Sequence, residues 1–318
     1  LSIARNFGLA DFFQDGTLSM VAFANYGDVQ ADGDHNTKPG KVFFYKKDAN
    51  DEWADKTADI LKEATGCVAA SKIVIADFNG DGKPDVFAAC SGMDSPPYPG
   101  EQPRFLMGQP DGSYKNELAP FTCYCHGAAA AEMNQKGYAD LVVTDTAIQK
   151  APYFLVNNKD GTFTPDYSRL PASIQAGDRG TPYSIYTAEL VDFRGAGKFD
   201  LLLGGHEPAA GVTTFGQWPT TILPNDGTNR FLSGTPTVLN PDAECRMAMD
   251  IVYEAGVLYL LRIDSFDKPT CPGGVIRKVD LKTLSVSTLY SGHVLNGIMP
   301  YQDKIVSRDA SYGVSVDR

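Results

Sequence analysis

Residues 77–85 read Asp-Phe-Asn-Gly-Asp-Gly-Lys-Pro-Asp, and this stretch decides how the whole chain is interpreted. Oxygen-bearing groups stand at every second position, and the predicted ligands are Asp77, Asn79, Asp81, Asp85 and the carbonyl oxygen of Lys83. Calcium prefers about six to eight oxygens at roughly 2.4 Å, whereas magnesium demands a rigid octahedron. Because three close carboxylates repel one another without a positive charge between them, the pattern predicts a calcium-binding loop. The alternative is an ordinary Asp/Asn/Gly turn.

The flanking residues exclude a helix–loop–helix site. Short apolar runs of strand type lead into the loop at residues 73–76 and out of it at residues 86–89. An EF-hand requires a helix on each side and a Glu at its twelfth position. The ion is therefore expected to bridge two β-strands.

The same pattern recurs in weaker form along most of the chain. Its anchoring acids are Asp11, Asp77, Glu132 and Asp192, which are 66, 55 and 60 residues apart. Residues 105–114, 153–163 and 221–227 each add an apolar strand that closes on a tight turn. One unit therefore reads as strand, motif loop, strand, long connection, strand, hairpin, strand, and repetition of this kind indicates a repeat architecture.

The motif in residues 75–90 and the downstream Asn/Asp-Gly hairpins resemble the FG-GAP or VCBS repeat of integrin headpieces and many secreted bacterial proteins. The resemblance implies a β-propeller with one repeat per four-stranded blade and calcium between the first two strands. It covers residues 9 to about 235 with fading strength. Residues 247–261 and 294–307 keep the strand–turn–strand rhythm without the ion motif.

Independently of any family, four short antiparallel strands per unit favour radial repetition, because a single sheet of this size leaves faces and edges uncovered. We expect an all-β chain that forms one propeller domain over residues 1–318. Six blades are favoured and seven are the alternative, since 318 residues at this spacing leave too little chain for a seventh. The expected blades are 9–66, 67–122, 123–175, 176–240, 241–291 and 292–318, the last closed by a strand from residues 1–8.

Substitutions at the ligand positions of the motif predict which loops no longer bind calcium. Lys136 stands in place of a carboxylate in the third loop, and Arg194 and Ala196 replace two ligands in the fourth. A covalently attached cation neutralises the remaining acids there. We therefore expect one good calcium site, a doubtful one at Asp11 and Asp15, and none in the third and fourth loops. Solvated surface pairs of little energetic value are the alternative.

Six cysteines permit 15 pairings, and the repeat register narrows them. Cys67 precedes the first strand of the second unit and Cys90 follows its second strand, and Cys245 and Cys271 hold the same relation in the fifth. These relations predict the disulfides Cys67–Cys90 and Cys245–Cys271. Cys123 and Cys125 remain. They could pair with each other, or they could exchange partners with the Cys67–Cys90 disulfide. Free buried thiols are the alternative.

Composition agrees with an extracellular protein. The net charge of −11 and the pI near 4.8 argue against a nucleic-acid partner, and no stretch of about 18 apolar residues suits a membrane span. The chain begins at Leu1 without Met, which favours a removed leader or a trimmed chain. A secreted or extracellular location is expected, with the periplasm or the cell surface as variants.

The register also separates the two faces of the expected propeller. The long loops 24–40, 91–103 and 204–219 gather on the face opposite the calcium loops, and long loops on a rigid scaffold commonly carry binding. This face also receives the acidic residues Asp28, Asp32 and Asp34. The predicted ligand-binding residues are Trp218, Tyr98, His206, Arg179, His35 and His293.

Two functions fit these residues. In a calcium-stabilised recognition module, aromatic rings would bind carbohydrate, or the loops would hold an extracellular protein. In a polysaccharide lyase or hydrolase, the catalytic residues would come from His126, His206, Arg179 and Tyr183. A metal-bound variant would recruit histidines and Glu207. An acidic chain repels an anionic polymer, so binding is favoured over lysis. The sequence leaves the oligomeric state open.

Overall fold

The computed structural model describes residues 6–24, 37–94, 97–146, 151–176, 184–207, 217–239, 242, 244–263, 271, 273–293, 295, 297–308 and 313–318. Within these ranges the chain forms 23 β-strands in six sheets and two very short helices. The helices are α1 (Thr57–Ile60) and α2 (Ala172–Ala176).

The first three sheets follow one another along the chain. The first holds β1 (Asn6–Ala10), β2 (Ser19–Ala24), β3 (Lys41–Lys47) and β4 (Trp53–Asp55). The second holds β5 (Ala70–Ala76), β6 (Asp85–Cys90), β7 (Arg104–Gly108) and β8 (Tyr114–Leu118). The third holds β9 (Cys125–Ala131), β10 (Asp140–Asp145), β11 (Tyr153–Asn157) and β12 (Phe163–Asp166).

The remaining three sheets complete the chain. The fourth holds β13 (Ile185–Val191), β14 (Asp200–Gly205), β15 (Thr221–Leu223) and β16 (Thr237–Val238). The fifth holds β17 (Met247–Glu254), β18 (Val257–Ile263), β19 (Gly274–Asp280) and β20 (Val286–Gly292). The sixth holds β21 (Met299–Tyr301), β22 (Lys304–Arg308) and β23 (Gly313–Asp317).

Each sheet is an antiparallel meander in which consecutive strands are neighbours. The first strand of each sheet contacts the first strand of the next, from β1 through β5, β9, β13 and β17 to β21. Residues from all six first strands line a single central cavity, so the sheets are blades around an axis. The predicted fold, a six-bladed β-propeller, is confirmed.

Closure of the sixth blade differs from the expectation. Residues 6–8 belong to β1, which pairs with β2 over Asn6↔Phe23 to Ala10↔Ser19, so they open the first blade instead of completing the last. The sixth sheet has three strands within the described residues. Residues 1–5, which the expected closing strand also includes, lie outside the described part of the chain.

Burial explains why these segments are strands. Every residue of β2, β6, β10 and β14 is buried, because each of these second strands lies between the neighbouring sheets on both sides. Strands covered on both faces read as continuous apolar runs, as in Asp85–Cys90. The hydrophobic clusters form between successive blades, and the aromatic contact of Phe44 with Tyr114, 5.1 Å between ring centroids, joins the first to the second.

Three disulfides link the six cysteines. Cys67–Cys90 and Cys245–Cys271 are present as predicted from the register. Cys123 pairs locally with Cys125, with 5.1 Å between their Cα atoms. No cysteine is free.

The two faces of the disc follow from strand direction. The loops between first and second strands, at residues 11–18, 77–84, 132–139 and 192–199, define what we call the motif face. The first strands begin, and the second strands end, on the opposite face. Disulfides and long second-to-third-strand loops therefore lie on the opposite face.

Candidate functional site

The motif loops share one hydrogen-bonding pattern. The carboxylate of Asp77 accepts the backbone N–H groups of Gly80 at 2.6 Å, Asp81 at 3.2 Å and Gly82 at 2.7 Å. Asp11 and Asp192 likewise accept the N–H groups four and five residues ahead. Gly80 and Gly82 have φ values of 77° and 79°, which glycine adopts without strain. Each anchoring acid therefore bends its own loop.

A second acid, eight residues later, ties the loop to the third strand. Asp85, Asp140 and Asp200 are at most 2% exposed. Their carboxylates accept the N–H groups of Gly108 at 2.6 Å, Asn157 at 2.9 Å and Asn225 at 2.7 Å, respectively. Ser19 stands at this position in the first blade and accepts from Phe12. This position therefore has a structural task that is independent of any ion.

The second motif loop differs from the other three in its basic neighbours, because each of the others has a basic side chain paired with one of its acids. Lys46 contacts Asp15 in the first blade, Arg169 contacts Asp140 at 3.4 Å in the third, and Arg194 contacts Asp200 at 2.8 Å in the fourth. In the third blade the expected cation, Lys136, instead lies 5.7 Å from the ring centroid of Tyr138. The neutralising group there is Arg169, which the motif register did not point to.

In the described part of the chain, no ion pair reaches Asp77, Asp81 or Asp85. The second loop is thus the one whose carboxylates lack a built-in cation, and its oxygen-only donors suit calcium. The three carboxylates are not mutually within 4.8 Å of one another. Among the described residues, the one set of acids, histidines or cysteines that close is Cys67, Cys90 and Glu101, two of which form a disulfide. Asp81 is exposed and has room to turn toward an ion.

On the opposite face, β-bulges recur at one repeat position. Pairing of first and second strands skips Ser71, His126, Tyr186 and Met249. The first three each stand six residues before the anchoring acid of their motif loop, and Met249 lies in the fifth blade, which lacks the motif. A bulge bends its strand and redirects a side chain, and it commonly does so beside functional sites. Gly127, the next residue in the chain, packs closely against β13. A Cβ atom at this position would lie 2.6 Å from the Thr187 Cα. This close approach brings His126 against Tyr186.

The bulge residues His126 and Tyr186 belong to a continuous chain of rings across three blades, which we call the aromatic row. Its members are Tyr98, Tyr124, His126, Tyr186 and His206. Successive ring centroids are 5.6, 5.4, 4.8 and 5.2 Å apart. Tyr98 is 37% exposed, whereas Tyr124 and His206 are buried at 7% and 4%. The accessible part of the row is therefore Tyr98 with the partly exposed His126 and Tyr186.

Tyr124 is held at both ends. Its hydroxyl donates to the Asp94 carboxylate at 2.5 Å, and its backbone N–H donates to Asp145 at 3.1 Å. The disulfide between Cys123 and Cys125 closes around it. The centre of the row is consequently fixed to the second blade through Asp94 and to its own third blade through Asp145.

Burial moves the protonation equilibria of the row away from neutrality. Desolvation lowers the pKa of His126 to about 4, against a smaller opposing effect of Asp94. Desolvation also raises the pKa of Tyr186 to about 12, and it raises that of Tyr124, whose hydroxyl bonds to Asp94. His126 is thus neutral and both tyrosines are protonated at pH 7. The row offers uncharged rings and hydroxyl or imidazole hydrogen-bonding groups.

The predicted ligand-binding and catalytic residues are only partly brought together. Tyr98, His126 and His206 join the row. Trp218 is half-buried against the core between the third and fourth blades, and its backbone N–H donates to the His206 carbonyl at 2.6 Å. His293 is exposed beyond β20, on the outermost strand of the fifth blade. The predicted residues His35, Arg179 and Tyr183, with the acidic residues Asp28, Asp32 and Asp34, lie outside the described residues.

Tyr124 and Tyr186 are the members that sequence reasoning missed. Tyr186 stands six residues before Asp192, as His126 stands six before Glu132. Alignment of the repeats on these acids would have shown that Tyr186 is equivalent to His126. Glu207, expected as an optional metal ligand, instead forms a buried ion pair with Arg262 at 2.7 Å.

Solved structures of other proteins resemble this fold at low sequence identity. A putative 6-phosphogluconolactonase from Bacteroides fragilis is 11% identical with a TM-score of 0.52, over 99% of this chain and 82% of that one. An Agrocybe aegerita lectin specific for non-reducing terminal N-acetylglucosamine is 12% identical with a TM-score of 0.45, over 89% and 65%. At these identities the similarity extends to the fold alone.

The sequence matches no protein-family model and no curated protein. The resemblance to FG-GAP or VCBS repeats therefore rests on the motif residues alone. Among the described helices, neither has the length and apolar character needed to cross a membrane.

Proposed function

We propose that this propeller is an extracellular recognition module that binds carbohydrate on its opposite face through the aromatic row. The observation that carries the proposal is the continuous chain of rings from Tyr98 to His206. Flat rings pack against the apolar face of a sugar, while a few fixed polar groups select its hydroxyls. Asp94 and the neutral His126 supply such groups.

The proposed ligand is a neutral glycan. The chain carries a net charge of −11, which repels anionic polymers at long range. His126 and the row tyrosines offer no cation at neutral pH, since the pKa of His126 is about 4. Uncharged hydroxyls therefore suit this surface better than uronates do.

The same pKa directions argue against lysis. A lyase base should have a pKa near the working pH, so that it is both unprotonated and basic enough to take a proton. His126 is too weak a base, and Tyr186, with a pKa of about 12, stays protonated. Binding is thus the better use of these groups.

Calcium is proposed as a structural ion in the second motif loop. Asp77, Asn79, Asp81 and Asp85 with the Lys83 carbonyl would hold it, and its charge would offset the carboxylates that no side-chain cation reaches. The site lies on the motif face, away from the row. The three disulfides support an oxidising, extracellular setting.

A glycan array followed by calorimetry on the strongest neutral hit tests the binding proposal. Tyr186→Ala and Tyr98→Ala should each weaken binding at least about tenfold, while Tyr186→Phe separates ring packing from the hydroxyl. Tyr167→Ala is the matched control, since Tyr167 is 51% exposed but follows β12, the outermost strand of the third blade. Absence of any neutral glycan hit, or equal loss in the Tyr167 control, would contradict the proposal.

A further inference from the structure

The centre of the ring holds a second candidate site. The cavity there has a volume of about 350 Å³ and is lined by residues of all six first strands. Small-molecule sites commonly occupy about 300–1,000 Å³ with mostly apolar walls and a few polar groups. The apolar wall includes Leu9, Ile73, Ile75, Ala129, Val252 and Met299.

Within the described residues, three charged side chains line this cavity. Lys72 of the second blade reaches Asp250 of the fifth, with 2.5 Å between Nζ and Oδ1, and its ammonium also lies 3.4 Å from the Ile251 carbonyl oxygen. Asp250 accepts two further hydrogen bonds, from the N–H groups of Ile251 and Ile298, both at 2.9 Å. The Asp250 carboxylate is thus fully engaged.

Glu189 of the fourth blade is the third charged group. Its carboxylate accepts the N–H of Leu190 at 3.1 Å. Over the described ranges, no basic group lies within ion-pair distance of it, although Lys72 attracts it from farther away. One ammonium is therefore shared by two carboxylates, which leaves the wall with one formal negative charge. Burial raises the pKa of Glu189 to about 7, as expected for a carboxylate without a close cation.

We propose that the central cavity binds a small organic cation, with a primary ammonium on the Glu189 carboxylate and an apolar body against the strand walls. A net negative wall disfavours an anion. A metal ion is disfavoured by the donor set, because the described residues place no third acid, histidine or cysteine close to Glu189 and Asp250. The proposal does not rest on glycan binding at the aromatic row.

Calorimetry or ligand-observed NMR at pH 8 with cyclohexylammonium chloride tests the site. Cyclohexanol, which has the same ring without the charge, is the ligand control. Cyclohexylammonium should bind saturably and cyclohexanol at least about tenfold more weakly. Glu189→Gln should reduce amine affinity at least about tenfold, whereas Glu117→Gln, which removes an acid from the outer strand β8, should leave it unchanged.

Lys72→Met gives an independent check, because it should raise amine affinity whereas Glu189→Gln should lower it. Removal of the shared ammonium leaves two carboxylates for the ligand, so a folded Lys72→Met variant should bind the amine more tightly, an effect that structural damage would not produce. Far-ultraviolet circular dichroism establishes that each variant is folded. Equal amine affinity in wild type and Glu189→Gln, no saturable binding to wild type, or stronger binding of Ca²⁺ than of the amine at Glu189 would overturn the proposal.

Discussion

Lys72 and Asp250 form an ion pair that joins the second blade to the fifth across the axis of the ring. Their side chains are 15% and 7% exposed, so the pair is largely shielded from water. The two residues are 178 positions apart in the chain. A single contact thus fixes the distance between opposite blades.

We expect Lys72→Met to destabilise the protein by about 3 kcal/mol, because removal of one partner strands a buried charge. The double variant Lys72→Met with Asp250→Asn should recover part of that loss, since neither charge then remains. Urea unfolding of wild type, both single variants and the double variant gives the coupling. Additive losses would show that the pair does not connect the blades energetically.

Chelation should lower the melting temperature if calcium occupies the second loop. Saturation at about 100 times the dissociation constant stabilises by about 2.7 kcal/mol, or roughly 5 °C for a domain of this size. Asp81→Ala should melt early and no longer respond to EGTA, and Asp303→Ala, in an exposed turn, should behave as wild type. A wild-type melting curve that EGTA leaves unchanged would refute the site.

The fourth motif loop should accept calcium once its cation is removed. Arg194→Asp combined with Ala196→Asp places carboxylates at the two positions, between Asp192 and Asp200, where Asn79 and Asp81 stand in the second loop. We expect calorimetry to rise from one bound calcium to two, because the added charges need an ion. Arg194→Ala alone removes the pair with Asp200 without adding ligands, and it should bind one. A stoichiometry of one in the double variant contradicts the assigned register.

Stability should depend on pH through Glu189. Its folded pKa of about 7 lies above the ordinary glutamate value of 4.5, so folding takes up a proton, and the stability from this group is complete below pH 4.5 and lost as pH rises through 7. The charged groups facing it are Lys72 and Asp250. Glu189→Gln should therefore be more stable than wild type by about 1–2 kcal/mol at pH 8 and nearly equal at pH 5. Urea unfolding at both values measures the difference, and a constant offset would contradict it.

Glycan affinity should stay constant between pH 8 and about 5.5. His126 has its pKa lowered to about 4 by burial among Tyr124 and Tyr186, while Asp94 opposes the shift only in part. The imidazole accordingly gains its proton only near pH 4, where affinity should fall. Calorimetry across this range tests the expectation. A loss between pH 7 and 6 would mean that the row titrates as an ordinary, exposed histidine.

Repetition made the fold predictable. The acids at Asp11, Asp77, Glu132 and Asp192 recur because each blade needs the same loop bend, and that demand is local enough to be visible in the sequence. The disulfides Cys67–Cys90 and Cys245–Cys271 were predictable for the same reason, whereas the pairing of Cys123 with Cys125 was left open. Closure of the last blade was predicted less well, because pairing of β1 with β2 is set by tertiary packing and leaves no motif.

The aromatic row was predictable only in outline. Tyr98, His126 and His206 were placed on the correct face by the register, but their contacts run through Tyr124 and Tyr186, and contacts between blades have no periodicity within one repeat. Arg169 replaced Lys136 as the cation of the third loop because its long side chain reaches back from beyond β12. Such reach cannot be read from spacing.

The three-residue ring closed by Cys123 and Cys125 gives Tyr124 few backbone conformations to lose when a ligand arrives. Tyr124 is also held by its hydrogen bonds to Asp94 and Asp145. Its ring is therefore ordered when the protein folds, and ligand binding would not carry the entropic cost of ordering it. Reduction of the Cys123–Cys125 disulfide would restore backbone freedom to Tyr124. Ligand affinity would then fall although no ligand contact is removed. The proposed glycan binding would thereby be coupled to the redox state of the surroundings.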